Sequence, residues 1–263
     1  MIGLFLGENK LPLEILKSLK KKKLKYFIID LSKKNRFKKD KNSYFISIGK
    51  FGEILDLIKS KKCKKVIFAG NIIKPKISKL KLDLKGIYYI PRIIKASKLG
   101  DAAILKELIK ILSENKIKVI KLNTYNQDLT LKKGCHTKTK PTNADLFLIK
   151  KGIQILNKSN ALNHVQALVI NSAKIVSLEK RKGTKHMLKN IKKKKSIKNL
   201  LIKMPKSKQD LRVDLPTIGL DTLKDCKKVN IKGIVMKANQ NIVLDKSDSL
   251  KYANKNNIFV YAK

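Results

Sequence analysis

The chain has 263 residues, of which 43% are hydrophobic, and this is enough for one large or two small globular domains. Its 63 Lys and Arg residues against 19 Asp and Glu residues give a formal net charge of +44 at pH 7. Three scattered cysteines without a C-x-x-C pair give no support to a zinc site or a disulfide framework, and favour a reducing compartment. No stretch reaches the ~18 apolar residues that a membrane span needs, so we expect a cytoplasmic protein.

The positive charge consists almost entirely of lysine spread along the chain. The arginines are only Arg36, Arg92, Arg181 and Arg212, aromatic residues make up 6%, and tryptophan is absent. Nucleic-acid readers usually combine arginine forks with aromatic stacking platforms. Specific nucleic-acid binding therefore stays the weaker alternative beside a nucleotide bias of the genome, and attraction to an anionic membrane surface is compatible with either.

The first half of the chain alternates apolar runs of strand length with segments of helical period. The predicted elements are strand 2–6, helix 11–20, strand 25–31, strand 44–48, helix 53–60, strand 65–69, helix 91–98, helix 102–113 and strand 116–122. This alternation predicts a Rossmann-like α/β domain with a parallel sheet. In such a sheet the loop from Gly7 to Leu11 lies at the carboxyl edge, where ligands usually bind. Asp101 is a natural N-cap for its helix.

A polar segment without hydrophobic period, residues 131–142, separates the two halves. It predicts a linker between a domain at 1–130 and a second domain at 143–263. The second half is predicted to be α+β, because its short strands are mixed irregularly with helices. Its predicted elements are helix 143–157, strand 166–171 with hairpin partner 175–178, a helix after Gly183, a solvated charge run at 192–195, strand 200–203, helix 217–229, strands 233–236, 242–244 and 258–261, and helix 247–256.

The densest chemistry lies between Lys203 and Gly219, in the sequence KMPKSKQDLRVDLPTIG. The alternation of Asp210, Arg212 and Asp214 with apolar residues predicts a strand that carries these three charges on one face and ends at Pro216. Two carboxylates beside basic groups suit a site for a phosphate and a divalent cation. A salt-bridged strand and turn explains the same pattern equally well.

This stretch resembles the signature K-x-P-K-x-x-Q-D-x-R-x-D-L-P-x-I-G of the LpxI-type UDP-2,3-diacylglucosamine pyrophosphatases. Other family motifs follow in the same order along the chain. They are the opening GLFLGENKLP, the element ISIGKFGEIL, the segment FAGNIIKP that ends at Pro75, the segment GDAAIL, and Glu179, Gly183 and Thr184 of the motif V-E-x-x-E-G-T-D. The resemblance covers nearly the whole length.

The chain departs from the family at several acids and glycines. Ala102 replaces a second Asp, Lys182 and Lys185 replace a Glu and an Asp, and Lys237 replaces a Glu. A catalytically impaired relative that binds a nucleotide or a lipid is therefore a second hypothesis.

The resemblance implies a two-domain enzyme that uses Mg²⁺ to hydrolyse the pyrophosphate of UDP-2,3-diacylglucosamine, bound between the domains. Water attacks the α-phosphorus and releases UMP and 2,3-diacylglucosamine 1-phosphate, a step of lipid A synthesis. The expected location is the cytoplasmic face of the inner membrane, with peripheral attachment. Whether the chain forms a homodimer is left open.

The resemblance also implies roles for individual residues. Asp214 is expected to act on the water or the metal ion, with Asp210 assisting at the metal. Lys203 and Arg212 are expected to neutralise phosphate charge. The other residues expected to bind substrate are Gly7, Leu11, Pro12, Gly70, Asn71, Gly100, Asp101, Glu179, Gly183, Thr184, Gln209 and Thr217.

Overall fold

The computed structural model describes residues 1–72, 78, 80–159, 165–172, 174–192, 197–207 and 209–263. Pro75 and most of the charge run at 192–195 lie outside these residues. The chain divides into two compact units, Met1–Asn126 and Gln127–Lys263. Each unit combines helices with a β-sheet, which confirms the mixed α/β class. No helix in the described ranges has both the length and the apolar composition to cross a membrane.

The first unit contains a parallel sheet in the order β3-β2-β1-β4-β5. Its strands are β1 (Ile2–Leu6), β2 (Tyr26–Asp30), β3 (Ser43–Phe45), β4 (Lys65–Ala69) and β5 (Lys118–Val119). Strand β1 is buried along its whole length, because helices cover both faces of sheets of this kind. The strand order reverses between β1 and β4, so the loops after these two strands meet where parallel α/β sheets usually bind ligands.

Four helices accompany this sheet: α1 (Leu11–Lys21), α2 (Phe51–Ser60), α3 (Leu84–Lys98) and α4 (Asp101–Glu114). Helix α3 begins well before the predicted residue 91, because the Asp83 side chain caps it by accepting a hydrogen bond from the Gly86 N–H at 2.7 Å. The prediction that Asp101 is an N-cap is wrong. Gly100 takes that position with φ 103°, and Asp101 is the first residue of α4.

The second unit contains a mixed sheet in the order β6-β13-β11-β9-β7-β8 and a small parallel pair, β10-β12. Its strands are β6 (Gly134–Cys135), β7 (Ala167–Asn171), β8 (Lys174–Leu178), β9 (Asn199–Lys203), β10 (Thr217–Ile218), β11 (Ile231–Met236), β12 (Ile242–Val243) and β13 (Phe259–Ala262). The predicted hairpin is confirmed, since β7 and β8 pair antiparallel. The predicted linker 131–142 contributes β6, an edge strand that pairs with β13.

Helices pack on both faces of this mixed sheet. They are α5 (Asn143–Ser159), α6 (Gly183–Lys189), α7 (Leu220–Lys228) and α8 (Lys246–Lys255). Alternate residues of β9 enter different core clusters: Leu201 packs with residues of α6 and α7, whereas Ile202 packs with residues of α5. Lys203 follows with the same alternation, and its side chain therefore points to the side of α6 and α7.

The predicted strand through Asp210 and Asp214 is wrong. Residues Leu211–Val213 form a turn, in which the Asp210 carbonyl accepts the N–H groups of Val213 at 3.1 Å and Asp214 at 3.0 Å. The Asp210 side chain also accepts the N–H of Arg212 at 3.0 Å, which favours a turn over extended pairing. The predicted helix 217–229 is shorter, because Thr217 and Ile218 pair as β10 before α7 begins.

Candidate functional site

The buried Lys203, at the end of β9, is linked to the buried Glu179 through the hydroxyl of Thr184. Lys203 is 7% exposed and Glu179 is 3% exposed. The Lys203 Nζ donates to Thr184 Oγ1 at 3.0 Å and to the Thr217 carbonyl at 3.1 Å. The Thr184 hydroxyl donates to Glu179 Oε1 at 2.7 Å, and Glu179 Oε2 accepts the N–H of Gln166 at 3.0 Å. Four of the predicted substrate-binding residues thus bind one another in the interior.

The ammonium group of Lys203 lies in the interior, where water does not hydrate it. Burial lowers the pKa of its ammonium group below the usual value, and the attraction of Glu179 and Asp214 opposes this effect. A buried cation is tolerated only when anions and hydrogen-bond acceptors surround it. Glu179, Thr184 and Thr217 therefore favour the charged form of Lys203 against the effect of burial.

Asp214 follows the turn and is exposed to solvent. Enough protein surrounds its carboxyl group that loss of hydration raises its pKa, although Lys206, Gln209 and Lys203 act in the opposite direction. A carboxylate with a raised pKa is a stronger base than an ordinary aspartate. A carboxyl group whose pKa is shifted by lost hydration and by neighbouring charges is typical of functional sites.

Gln209 connects the Asp214 region to the preceding loop. Its Oε1 accepts the N–H of Lys206 at 2.8 Å. Its Nε2 also lowers the pKa of Asp214, yet this nitrogen is buried and forms no hydrogen bond of normal geometry within the described part of the chain. A buried donor without a partner is uncommon, and an acceptor oxygen from a ligand would satisfy it.

The predicted metal ligand Asp210 is already bound to Arg212. The guanidinium forms a fork with the carboxylate, with Nε 3.0 Å from Oδ1 and Nη2 2.6 Å from Oδ2. This pairing raises the pKa of Arg212. The Arg212 side chain is 43% exposed, and opening such a surface pair costs only about 0 to 1 kcal/mol. The pair therefore closes the turn without preventing a phosphate from reaching the guanidinium.

The loops after β1 and β4 form a second group of predicted residues in the first unit. The Gly7 N–H donates to the Ala69 carbonyl at 2.9 Å, and Glu8 and Asn71 exchange backbone hydrogen bonds at 2.8 and 3.2 Å. A Cβ on Gly7 would overlap the Asn71 carbonyl, and a Cβ on Gly70, which has φ 86°, would overlap the Glu8 carbonyl. Close packing of the two loops therefore requires both glycines.

The remaining predicted residues lie at helix starts. Leu11 and Pro12 begin α1, and the buried Pro12 packs where a Cβ on Gly70 would lie. Gly100 hydrogen-bonds within the turn between α3 and α4. Gly183 begins α6 with φ 82°, and a Cβ at this residue would point into open space. The structure gives these glycines and Pro12 local roles in the backbone.

Both units match known family models. Residues 1–129 match the LpxI N-terminal domain, and residues 132–261 match the LpxI C-terminal domain. The chain belongs to the LpxI family. It is also 27% identical over 223 residues to the UDP-2,3-diacylglucosamine pyrophosphatase LpxI of Caulobacter vibrioides, which covers 82% of this chain and 80% of that protein. The resemblance found in the motifs is thereby confirmed.

The four replacements at family acids occur at exposed positions, whereas Val165, which replaces a family glycine, is buried. Ala102, Lys182, Lys185 and Lys237 are open to solvent. Glu179, which is the acid of the motif V-E-x-x-E-G-T-D that this chain retains, is buried and accepts a hydrogen bond from Thr184. The replacements therefore leave the hydrogen bonds around Lys203 intact.

Sequence reasoning gave Lys206 no individual role, although it belongs to the matched signature. In the structure, the positive charge of Lys206 has the largest effect among the groups that lower the pKa of Asp214. The signal in the sequence that could have identified Lys206 was its match to the family signature. Its effect on Asp214 depends on the turn, which the predicted strand did not anticipate.

Proposed function

We propose that this LpxI family member hydrolyses UDP-2,3-diacylglucosamine to UMP and 2,3-diacylglucosamine 1-phosphate, a step of lipid A synthesis. Family membership and the named Caulobacter relative support the reaction. The observation that carries the chemical assignment is Asp214, an exposed acid with a raised pKa beside basic groups. The other acids nearby are engaged, since Glu179 is bound to Thr184 and Asp210 is bound to Arg212.

In the proposed reaction Asp214 accepts a proton from the attacking water. The water oxygen forms a bond to the α-phosphorus, while the bond from that phosphorus to the bridging oxygen breaks. The electron pair leaves with the β-phosphate, and the sugar 1-phosphate departs. The raised pKa of Asp214 favours this role, because a stronger base takes the proton more readily once it is ionised.

The basic groups near Asp214 are assigned to the phosphate oxygens. Among the described residues of this segment, Lys206 and Arg212 are partly exposed cations that a ligand can reach, and the Gln209 Nε2 can donate a hydrogen bond to it. Lys203 already donates to two oxygens in the interior. We therefore assign Lys203 to the electrostatic field of the site, which favours negative charge developing at phosphate.

Mg²⁺ is the proposed cofactor, and Asp214 is the residue that fits it. No group of three or more His, Cys, Asp or Glu able to hold a metal ion occurs in the described residues. Mg²⁺ does not require such a group, because it commonly binds one or two carboxylates together with substrate phosphates. Asp210 would have to leave Arg212 to take part. When bound, the ion supplies positive charge against the pyrophosphate oxygens.

The decisive experiment compares two Asp→Asn variants in the same part of the sequence. UMP release from UDP-2,3-diacylglucosamine is measured for the wild-type chain, Asp214→Asn and the control Asp221→Asn, with Mg²⁺ and with EDTA. Asp221 is an exposed acid in the first turn of α7. We expect a loss of about 100-fold or more in kcat for Asp214→Asn and little change for Asp221→Asn.

Asp214→Asn should be at least as stable as the wild-type chain at neutral pH, because loss of hydration disfavours the carboxylate that it removes. Hydrolysis by Asp214→Asn at a wild-type rate would refute the role of Asp214. A wild-type chain that binds the substrate without releasing UMP would instead be the catalytically impaired relative.

A further inference from the structure

Helix α3 carries its apolar side chains on the outside. Leu84 is 86% exposed, Ile87 57%, Tyr88 72% and Ile94 36%. Pro91 is exposed as well. The spacing of three and four residues puts all five on one side of the helix. A surface helix usually presents polar residues there, so this outward apolar face needs an explanation.

The opposite side of α3 is fixed to its own unit. Gly86 and Ala96 are buried. The Tyr89 ring packs edge-on against Phe51 with centroids 5.4 Å apart. The Arg92 guanidinium binds two carboxylates of α4, Glu107 at 2.6 Å and Glu114 at 2.7 Å. These contacts set the rotation of the helix, so its apolar face cannot turn inward.

The charged side chains of α3 itself are all basic, and one of them, Lys85, pairs with the exposed Asp56 of α2 at 3.4 Å. Lys85, Lys95 and Lys98 are exposed on α3, and residues 84–98 contain no Asp or Glu. The Asp83 carboxylate caps the helix by accepting the N–H of Gly86, and Arg92 is bound to α4. Helices that lie in a membrane interface combine exposed apolar residues with lysines in this way.

We propose that α3 docks the chain on an anionic phospholipid bilayer. Leu84, Ile87 and Tyr88 enter the boundary between headgroups and acyl chains, and Lys95 and Lys98 lie against lipid phosphates. Anionic lipid complements the basic charge of this helix. A second copy of the chain is a poorer occupant, because two molecules of net charge +44 repel each other. Docking through α3 would bring the chain to the membrane that holds a glycolipid substrate, but this docking does not depend on the proposed reaction.

The first test uses the absence of tryptophan from the chain. Tyr88→Trp introduces a single fluorescent reporter into the apolar face, and Phe45→Trp introduces one at a different residue of the same unit, 54% exposed. Vesicles of phosphatidylglycerol and phosphatidylcholine are added at 0.15 M salt, about physiological ionic strength. We expect the emission of the Tyr88→Trp protein to shift to the blue and to be quenched by brominated lipid. The Phe45→Trp protein should show neither effect.

The second test separates insertion from general attraction by a basic protein. The double variant Leu84→Ser, Ile87→Ser and the control Ile175→Ser, Val176→Ser both remove two exposed apolar side chains and leave the charge unchanged. Vesicle sedimentation at about 0.5 M salt weakens the electrostatic contribution. We expect the α3 variant to bind about 10-fold more weakly than the wild-type chain and the control to bind as the wild type does.

Three results would overturn the proposal. One is equal vesicle binding by the two double variants. Another is an unshifted emission of the Tyr88→Trp protein when it is bound to vesicles. The third is a Tyr88→Trp emission that is already shifted without lipid, which would assign the apolar face to a contact between protein surfaces. None of these measurements involves UMP release, so they are independent of the role of Asp214.

Discussion

The hydroxyl of Thr184 is expected to hold the buried Lys203 and Glu179 together. Thr184→Val keeps the side-chain volume but replaces the hydroxyl by a methyl group. It removes the hydrogen bonds at 3.0 Å to Lys203 and at 2.7 Å to Glu179. Hydrogen bonds to charged groups contribute about 1.5 to 3 kcal/mol each, so we expect the free energy of unfolding of the second unit to fall by about 3 kcal/mol or more.

Thr217→Val is the matched control at the other partner of Lys203. Among the described residues, the Thr217 hydroxyl donates to the Leu215 carbonyl at 2.9 Å, and the backbone carbonyl that accepts from Lys203 remains in the variant. This substitution removes one neutral hydrogen bond, which corresponds to about 1 kcal/mol. The change from Thr to Val should therefore lower the free energy of unfolding more at Thr184 than at Thr217.

Amide hydrogen exchange of the full chain, followed by mass spectrometry, measures this difference for each unit separately. Peptides from β9 report on the second unit and peptides from β1 report on the first. Since about 1.4 kcal/mol corresponds to a factor of ten, Thr184→Val should accelerate exchange of β9 about 100-fold and leave β1 unchanged. Equal acceleration by Thr217→Val, or unchanged exchange in Thr184→Val, would refute the proposed bridge.

Two further predictions concern the pKa of Asp214 and the loops of the first unit. Lys206→Met should move the acid limb of the pH profile of kcat/KM to higher pH, because Lys206 lowers the pKa of Asp214 and the base acts only when ionised. The control Lys224→Met, at an exposed lysine of α7, should leave the acid limb where it is. An unchanged acid limb in Lys206→Met would contradict the assignment of Asp214 as the base. Gly70→Ala should lower the free energy of unfolding by about 3 kcal/mol and Gly100→Ala by about 1 kcal/mol, since only the former adds an overlap with a backbone carbonyl to the strain of positive φ. Thermal unfolding measures both, and equal shifts would exclude the overlap as the cause.

Most helices and strands could be predicted from local patterns. Strand β1 and helix α1 follow from an apolar run and from helical spacing, because their periods express which side chains are buried. The segment from Asp210 to Asp214 has the alternation of a strand but forms a turn. Five alternating residues do not outweigh an aspartate that binds the backbone two residues further on.

The candidate site was predicted as a set of residues, and their arrangement was not. The signature in the sequence named Lys203, Asp210, Arg212 and Asp214 together. It did not indicate that Asp210 binds Arg212, or that Lys203 is buried while Asp214 is exposed. Those properties depend on which side of β9 faces α6 and on the course of the following turn.

The sequence by itself determined the family, the alternation of strands and helices in the first unit, and the segment that carries the reactive acid. Each of these is recorded in neighbouring residues, whose order and period are visible without coordinates. Only the tertiary structure decided that Glu179 and Lys203 meet through Thr184 and that α3 turns its apolar side outward. Both facts depend on contacts between elements far apart in the chain, and packing rather than local preference selects those contacts.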